Sequence, residues 1–152
     1  MKICFLTHDL RADYGAGVFS YRLISGIKER LGWNVVALTA ESSGSPMELA
    51  ILHPQKIKLV REFWHIRKIM KTCDIIHALD GFPYGIIAVL ASLGLKKKII
   101  ITAVGSGAII PLYNRLYAPL MRWCYRRADM VTAISAFTRD EIIKRVKNLT
   151  VR

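Results

Sequence analysis

The chain has 152 residues, 53% of them hydrophobic, and 23 Lys+Arg against 11 Asp+Glu give it a net charge of +12. That length suits one domain with a sizeable core, and so apolar a chain with only 22% charged residues is not a disordered one. Cys4, Cys73 and Cys124 form no Cys-x-x-Cys pair, which argues against a disulfide framework or a zinc ribbon and reads as buried free thiols in a reducing compartment. The charge implies an anionic partner: nucleic acid, a phosphorylated small molecule or a membrane surface.

The elements alternate in type along the chain. Lys2 to Thr7 is a short continuous apolar run, as in a strand buried on both faces. The run is too short for a signal peptide and no small-residue cleavage site follows it. Gly15 to Leu31 has helical spacing, with Phe19, Leu23 and Ile27 on one face and Gly32 as a stop signal. Trp33 to Thr39 reads as a strand and Glu41 to Pro54, rich in Ser, Gly and Pro, as a loop. Ile57 to Val60 reads as a short strand, and Arg61 to Lys71 as a helix with Phe63, Ile66, Ile69 and Met70 inward. Cys73 to Ala78 is a strand, Tyr84 to Leu93 a helix, Lys98 to Ala103 a strand, Leu112 to Arg127 a helix and Met130 to Ile134 a strand. Ser135 caps a last helix running to about Lys147, with Asp140 and Glu141 near its positive end. Gly81 to Leu95 is the most apolar stretch, but as a helix it would span only ~22 Å, short of the ~30 Å hydrocarbon core of a bilayer.

Strand–helix alternation of this kind predicts an α/β fold: a doubly wound, mostly parallel, Rossmann-like sheet in a single domain over residues 1–148. Residues 149–152 read as the start of a further strand or a linker. In such a sheet the site lies at the carboxyl ends of the strands. The candidates are therefore His8, Asp9 and Tyr14–Gly17 after the first strand and Glu41 after the second. They continue with His77 and Asp80-Gly81, then Thr102 and Gly105-Ser106-Gly107, and finally Ser135. A strand order of 3-2-1-4-5 would put His8 and His77 on one rim. Gly15-Ala16-Gly17 opens a helix, whose N–H groups suit an anion. The alternative reading of these glycines is a turn. Two His with Asp9 and Asp80 could in principle hold a metal, but the ligands are split over loops without tight spacing, so none is expected. There is no Gly-x-Ser-x-Gly and no Walker loop.

Four segments in order resemble the N-terminal domain of the family-4 glycosyltransferases of the GT-B fold. Met1–His8 through Gly15-Ala16-Gly17-Val18 is similar to that family's opening strand and glycine loop. Cys73-Asp-Ile-Ile-His77-Ala-Leu-Asp80 is similar to its Asp-hydrophobic-hydrophobic-His-Ala-His strand. Ile100-Ile-Thr102-Ala-Val104-Gly105-Ser106 is similar to its Thr-x-His-Gly-Thr strand end. Ala128-Asp129-Met-Val-Thr-Ala-Ile-Ser135-Ala-Phe-Thr138 is similar to its Ala-Asp-x-Val-x-x-x-Ser-x-x-Thr segment. Val104 stands where the family often has His, and Gly-Ala-Gly where it often has Gly-Gly.

The resemblance implies an acceptor-binding domain that contributes loops to the diphosphate of a nucleotide-sugar donor, with no other cofactor and no metal. It points to His77 and Asp80 as catalytic residues, and to Gly15, Ala16, Gly17, Gly105, Ser106 and Ser135 as contacts to the donor. It also implies a second, donor-binding domain or adjacent subunit, without which the chain is expected to be inactive. The acceptor would be a glycan or a lipid-linked molecule, in cytoplasmic synthesis of cell-envelope polysaccharide.

The charge is uneven. Residues 61–127 hold 11 Lys/Arg against Glu62, Asp74 and Asp80, which is +8 of the +12. Aromatic residues accompany the basic ones in 61–71 and 112–127, a mixture suited to the inner face of an anionic membrane. The alternatives are a solvated face or a surface that meets the second domain. Two other readings compete. Gly15-x-Gly17-x-x-Ser20 with Glu41 suits a dinucleotide-dependent oxidoreductase, except that about six residues separate the strand from Gly15. A basic membrane- or nucleic-acid-binding module is the third, although no nucleic-acid-binding signature is present and nucleic acid is not expected as a partner.

Overall fold

The computed structural model describes residues 1–11, 13, 15–53 and 56–152, with the side chains of 56–60 excepted. Six strands form one sheet: β1 (Lys2–Thr7), β2 (Asn34–Thr39), β3 (Glu48–Ala50), β4 (Ile75–Leu79), β5 (Lys98–Ala103) and β6 (Met130–Ala133). All neighbours pair in parallel, in the order β3-β2-β1-β4-β5-β6. The helices are α1 (Gly15–Leu31), α2 (Lys56–Lys71), α3 (Ile86–Ser92), α4 (Ser106–Tyr113), α5 (Ala118–Arg127) and α6 (Ala136–Arg145). Beyond α6, Val151 makes a parallel bridge to Val131 at the β6 edge.

The sheet is buried on both faces, unequally. One face carries Cys4, Leu6, Ile76, Ala78, Ile101 and Val131, and residues of α2 to α6 pack into the same core. The other carries Ile3, Phe5 and Ala37 under α1. Within α1 the fully buried positions are Gly17, Ser20 and Ile24, while Phe19, Leu23 and Ile27 are only half-buried. The contact stripe is therefore rotated from the one the large apolar residues suggest. Gly17 explains the rotation. A Cβ there would stand 2.3 Å from the Arg11 carbonyl oxygen and 2.5 Å from Asp9 Oδ1, so the start of α1 rests directly on the β1–α1 loop. A Cβ at Gly15 would meet nothing within 4 Å.

Three expectations are corrected. The third strand is Glu48–Ala50, inside the segment read as a loop, whereas Ile57 to Val60 is backbone of α2. The strand is held by the backbone, with Ala37 N–H on the Met47 carbonyl and Leu52 N–H on that of Thr39. Glu48 turns back to accept from Ser42, Ser43 and Gly44; burial opposes its charge, but these bonds hold its carboxyl below the ordinary value. The helix expected over Leu112–Arg127 is two helices. Asn114 takes an extended conformation and its Oδ1 accepts from Leu116 and Tyr117 N–H, and Pro119 then sits in the first turn of α5, where its missing N–H costs nothing. The helix expected from Tyr84 begins at Ile86, after a wide turn over Gly81–Gly85 with a cis Phe82–Pro83 bond. All three cysteines are free and buried.

Candidate active site

The carboxyl ends of β1, β4 and β5 open into a cleft of about 610 Å³. Thr7 and His8 come from the end of β1, and Gly15, Ala16 and Ser20 from the start of α1. Asp80 and Tyr84 come from the turn after β4, and Val104, Gly105 and Ser106 from the β5–α4 junction. Two helix N-termini thus face one space. Neither α1 nor α4 has an acidic residue in its first turn, and the α4 N-cap, Gly105, has no side chain to satisfy the first-turn N–H groups.

Asp80 organises this end of the sheet. Its backbone lies at φ 128°, a region L-residues rarely adopt, which costs on the order of 1–3 kcal/mol. The carboxylate repays that locally. Oδ1 accepts from Gly81 N–H at 2.7 Å, and the carboxylate also accepts from Gly105 and Val104 N–H. Burial still pushes the carboxyl up to about 6, against those bonds. Two glycines make room for it. A Cβ on Gly107 would lie 2.4 Å from Asp80 Oδ2, and one on Gly81 would lie 2.3 Å from the Tyr125 hydroxyl oxygen. That hydroxyl donates to the Ala108 carbonyl at 3.0 Å, tying α5 to α4.

His77 is not on the rim. It pairs in register with Phe5, three residues short of His8, and packs on the Phe5 ring at 5.1 Å. Its Nε2 shares a 2.8 Å hydrogen bond with Thr102 Oγ1, which in turn lies 2.7 Å from Thr132 Oγ1. This is a buried polar ladder across β4, β5 and β6. Burial lowers the imidazole to about 4, so it is neutral at pH 7. The expected neighbourhood of His8 and His77 is therefore corrected by the register. Ser135 caps α6, accepting from Thr138 N–H at 3.1 Å, and does not line the cleft. Gly17 sits behind the cleft as a packing residue, and Tyr14 lies outside the described residues.

His8 takes the place on the rim. Its Nδ1 lies 3.0 Å from the Tyr84 hydroxyl, and its carbonyl accepts from Ala40 and Glu41 N–H, joining the ends of β1 and β2. Nε2 lies 3.7 Å from Glu41 Oε1 and 3.9 Å from Asp9 Oδ2. Among the described residues these three are the metal-ligand side chains that converge. Arg11 stands among them, paired with Glu41 and 3.8 Å from Asp9, so the carboxylates already have a fixed counter-charge. The four-residue set His8, His77, Asp9 and Asp80 is not assembled. Tyr84 carries no sequence signal; only the turn after Asp80 brings it to His8.

These features define the class: a doubly wound, Rossmann-like domain with an anion-suited cleft at the carboxyl edge of a parallel sheet. The model of Glycosyltransferase Family 4 matches residues 14–151, and the chain belongs to that family. The fold is that of the N-terminal half of a GT-B enzyme. Among solved structures, a UDP-N-acetylglucosamine 2-epimerase superposes with a TM-score of 0.64 at 12% identity, covering 97% of this chain and 46% of that one. A Listeria monocytogenes protein described as a UDP-N-acetylglucosamine 2-epimerase gives 0.62 at 13% identity, covering 97% and 42%. The chain thus spans less than half the length of these structures. No curated protein sequence matches it.

The two buried titratable groups make opposite pH predictions. Between about pH 4 and 6 the native state keeps the Asp80 proton that the unfolded chain has released, so Asp80 lowers stability as pH rises. Between about pH 6.5 and 4 the unfolded state takes up a His77 proton that the native state refuses, so His77 lowers stability as pH falls. Urea unfolding at pH 4 to 7 checks both. Relative to Asp80→Asn, the unsubstituted protein should lose about 2–3 kcal/mol from pH 4 to 7; relative to His77→Phe it should gain about 3 kcal/mol. A difference that stays flat with pH contradicts the assignment for that residue.

Proposed function

We propose that the chain is the acceptor-side domain of a nucleotide-sugar glycosyltransferase and that the cleft receives the donor diphosphate. The observation that carries this is the meeting of the N-termini of α1 and α4, at Gly15-Ala16 and Gly105-Ser106, neither with an acidic residue in its first turn and with glycines where a phosphate must approach backbone N–H. In the transfer the acceptor hydroxyl oxygen bonds to the anomeric carbon, the bond from that carbon to the diphosphate oxygen breaks, and the hydroxyl proton leaves with the diphosphate. His8, Asp80 and Tyr84 are the ionisable side chains lining the cleft. Asp80 holds the Gly105 loop in place, and His77 acts as a positioning residue through Thr102. A second, donor-binding half completes the site, and the chain alone is inactive. Glu41 is paired with Arg11 rather than presented as a ribose acceptor, which weighs against the dinucleotide reading.

A second proposal concerns the basic face. Arg61, Trp64, Lys68 and Lys71 are exposed in one stripe along α2, and Leu116, Leu120, Trp123 and Arg127 are exposed around α5. This mixture suits an anionic membrane surface. No helix among the described residues is long and apolar enough to cross a membrane. Arg67 does not belong to that surface: its Nη1 donates to the Ala91 and Leu93 carbonyls and caps α3.

Gly15→Asp tests the first proposal, because it has room in the fold and places a negative charge in the cleft. In the enzyme joined to its donor-binding half, the donor KM should rise tenfold or more with an unchanged melting temperature. An unchanged KM counts against the cleft. For the membrane, sedimentation with phosphatidylglycerol vesicles should fall sharply in Arg61→Glu/Lys68→Glu and in high salt; binding insensitive to both rules the stripe out.

A further inference from the structure

The cleft has an apolar neighbour. A groove of about 670 Å³ runs between α2 and the turn before α3, within the range of about 300–1,000 Å³ usual for small-molecule sites. Leu52, Ile86, Ile87 and Leu90 line it, and so do two pairs of aromatic rings from different elements. Phe63 and Trp64 of α2 meet edge-on with ring centres 6.0 Å apart. Phe82 of the turn tilts against Tyr117, just before α5, at 5.2 Å. At its inner end the groove reaches His8 and Tyr84, which also line the cleft. The hydrogen-bonded His8–Tyr84 pair is therefore the partition between a phosphate-suited space and an aromatic one.

The lining says what the groove takes. Among the described residues that line it there is no Lys, Arg, Asp or Glu, so a charged ligand would lose its water and gain no counter-charge. Aromatic walls suit flat rings, which stack on them or meet them edge-on. Two polar groups stand in the lining, the His53 imidazole and the Tyr117 hydroxyl, and neither has a hydrogen-bond partner among the described residues. A hydrocarbon chain laid over them would strip their water and return nothing. A hydroxyl carried on a ring can donate to or accept from either.

Resting on the glycosyltransferase reading above, we propose that the groove holds the acceptor, and that the acceptor is an uncharged, hydroxylated aromatic compound. This departs from the glycan or lipid-linked acceptor that the family resemblance implies. One ring hydroxyl lies at the inner end beside His8 and Tyr84. Its oxygen receives the glycosyl group, and its proton leaves with the diphosphate. Further hydroxyls meet His53 and Tyr117. The exposed cations Arg61, Lys68 and Lys71 lie outside the groove and take no part in this recognition.

Nuclear magnetic resonance titration of the isotopically labelled 152-residue chain with 2-naphthol at neutral pH tests this. Two compounds serve as comparisons: 2-naphthoate has the same rings but is an anion, and farnesol, kept below its aggregation threshold, is an uncharged chain without rings. The expected result is one saturable response to 2-naphthol at the Ile86, Ile87 and Leu90 amides, with each comparison compound bound at least tenfold more weakly. Leu120→Glu, at an exposed position of the lining, and Leu90→Lys, which puts a charge inside the groove, should each weaken 2-naphthol binding at least tenfold. Melting curves show that the variants are folded, and Leu120→Glu keeps the test alive if Leu90→Lys is not. No response to 2-naphthol, a smaller margin over either comparison compound, or a smaller effect in a folded variant overturns the proposal. The glycosyltransferase reading is reported separately, by the response of the Gly15 and Gly105 amides to UDP, so either can fail alone.

Discussion

The carboxylate of Asp80 is the constraint on which this end of the molecule depends. It is buried where β4 ends and accepts backbone N–H from Gly81, Val104 and Gly105, so one side chain ties the turn before α3 to the loop before α4. Much of the local sequence follows from it. Gly107 lacks a side chain because the carboxylate occupies that volume, and Gly81 because the Tyr125 hydroxyl does. Tyr125 in turn holds the Ala108 carbonyl, which brings α5 against α4. The cost is a carboxyl near neutrality in its protonation and a backbone at an uncommon φ. Such concentrations of cost are typical of functional edges.

The same edge sorts the two histidines. The pairing of β1 with β4 places Phe5 and His77 side by side in the sheet, where a neutral imidazole completes a ladder with Thr102 and Thr132. Three residues further along β1, His8 emerges between the cleft and the groove. A histidine three positions deeper in the register is a packing residue, and one past the strand end is available to a ligand. The basic residues divide in the same way. Arg67 is consumed in capping α3 and Arg145 lies over the Tyr113 ring at 3.8 Å, while Arg61, Lys68 and Lys71 remain exposed beside Trp64.

Long periodic elements were legible in the sequence because burial dictates them. β1, β5 and α1 fall where continuous apolar runs and 3.6-residue spacing put them, and the Ser135 cap follows from its own chemistry. β1 does lie between β2 and β4, as an order of 3-2-1-4-5 would have it, but the third strand is not the segment read as one. What escaped depends on distant partners. Glu48–Ala50 has no strand-like composition and becomes a strand only through the Ala37 and Leu52 amides. The break at Asn114, by contrast, is local: one side chain folds over its own backbone, and Pro119 then opens the next helix. Of the candidate site residues, Gly15, Ala16, Asp80, Gly105 and Ser106 line one cleft. Two expected residues lie elsewhere despite their position in the chain: His77 is turned inward by its bond to Thr102, and Ser135, though exposed, is spent on capping α6. Tyr84 and the groove beside it arise from a turn whose shape no short motif announces.

The central claim is that the N-terminus of α1 and that of α4, the latter held by Asp80, form one diphosphate site. Nuclear magnetic resonance titration of the isotopically labelled chain with UDP tests it directly, since weak binding is enough to move amide resonances. The account predicts a single saturable response concentrated at the Gly15, Ala16, Gly105 and Ser106 amides. A response confined to other surfaces, or the absence of any at millimolar UDP, would contradict it.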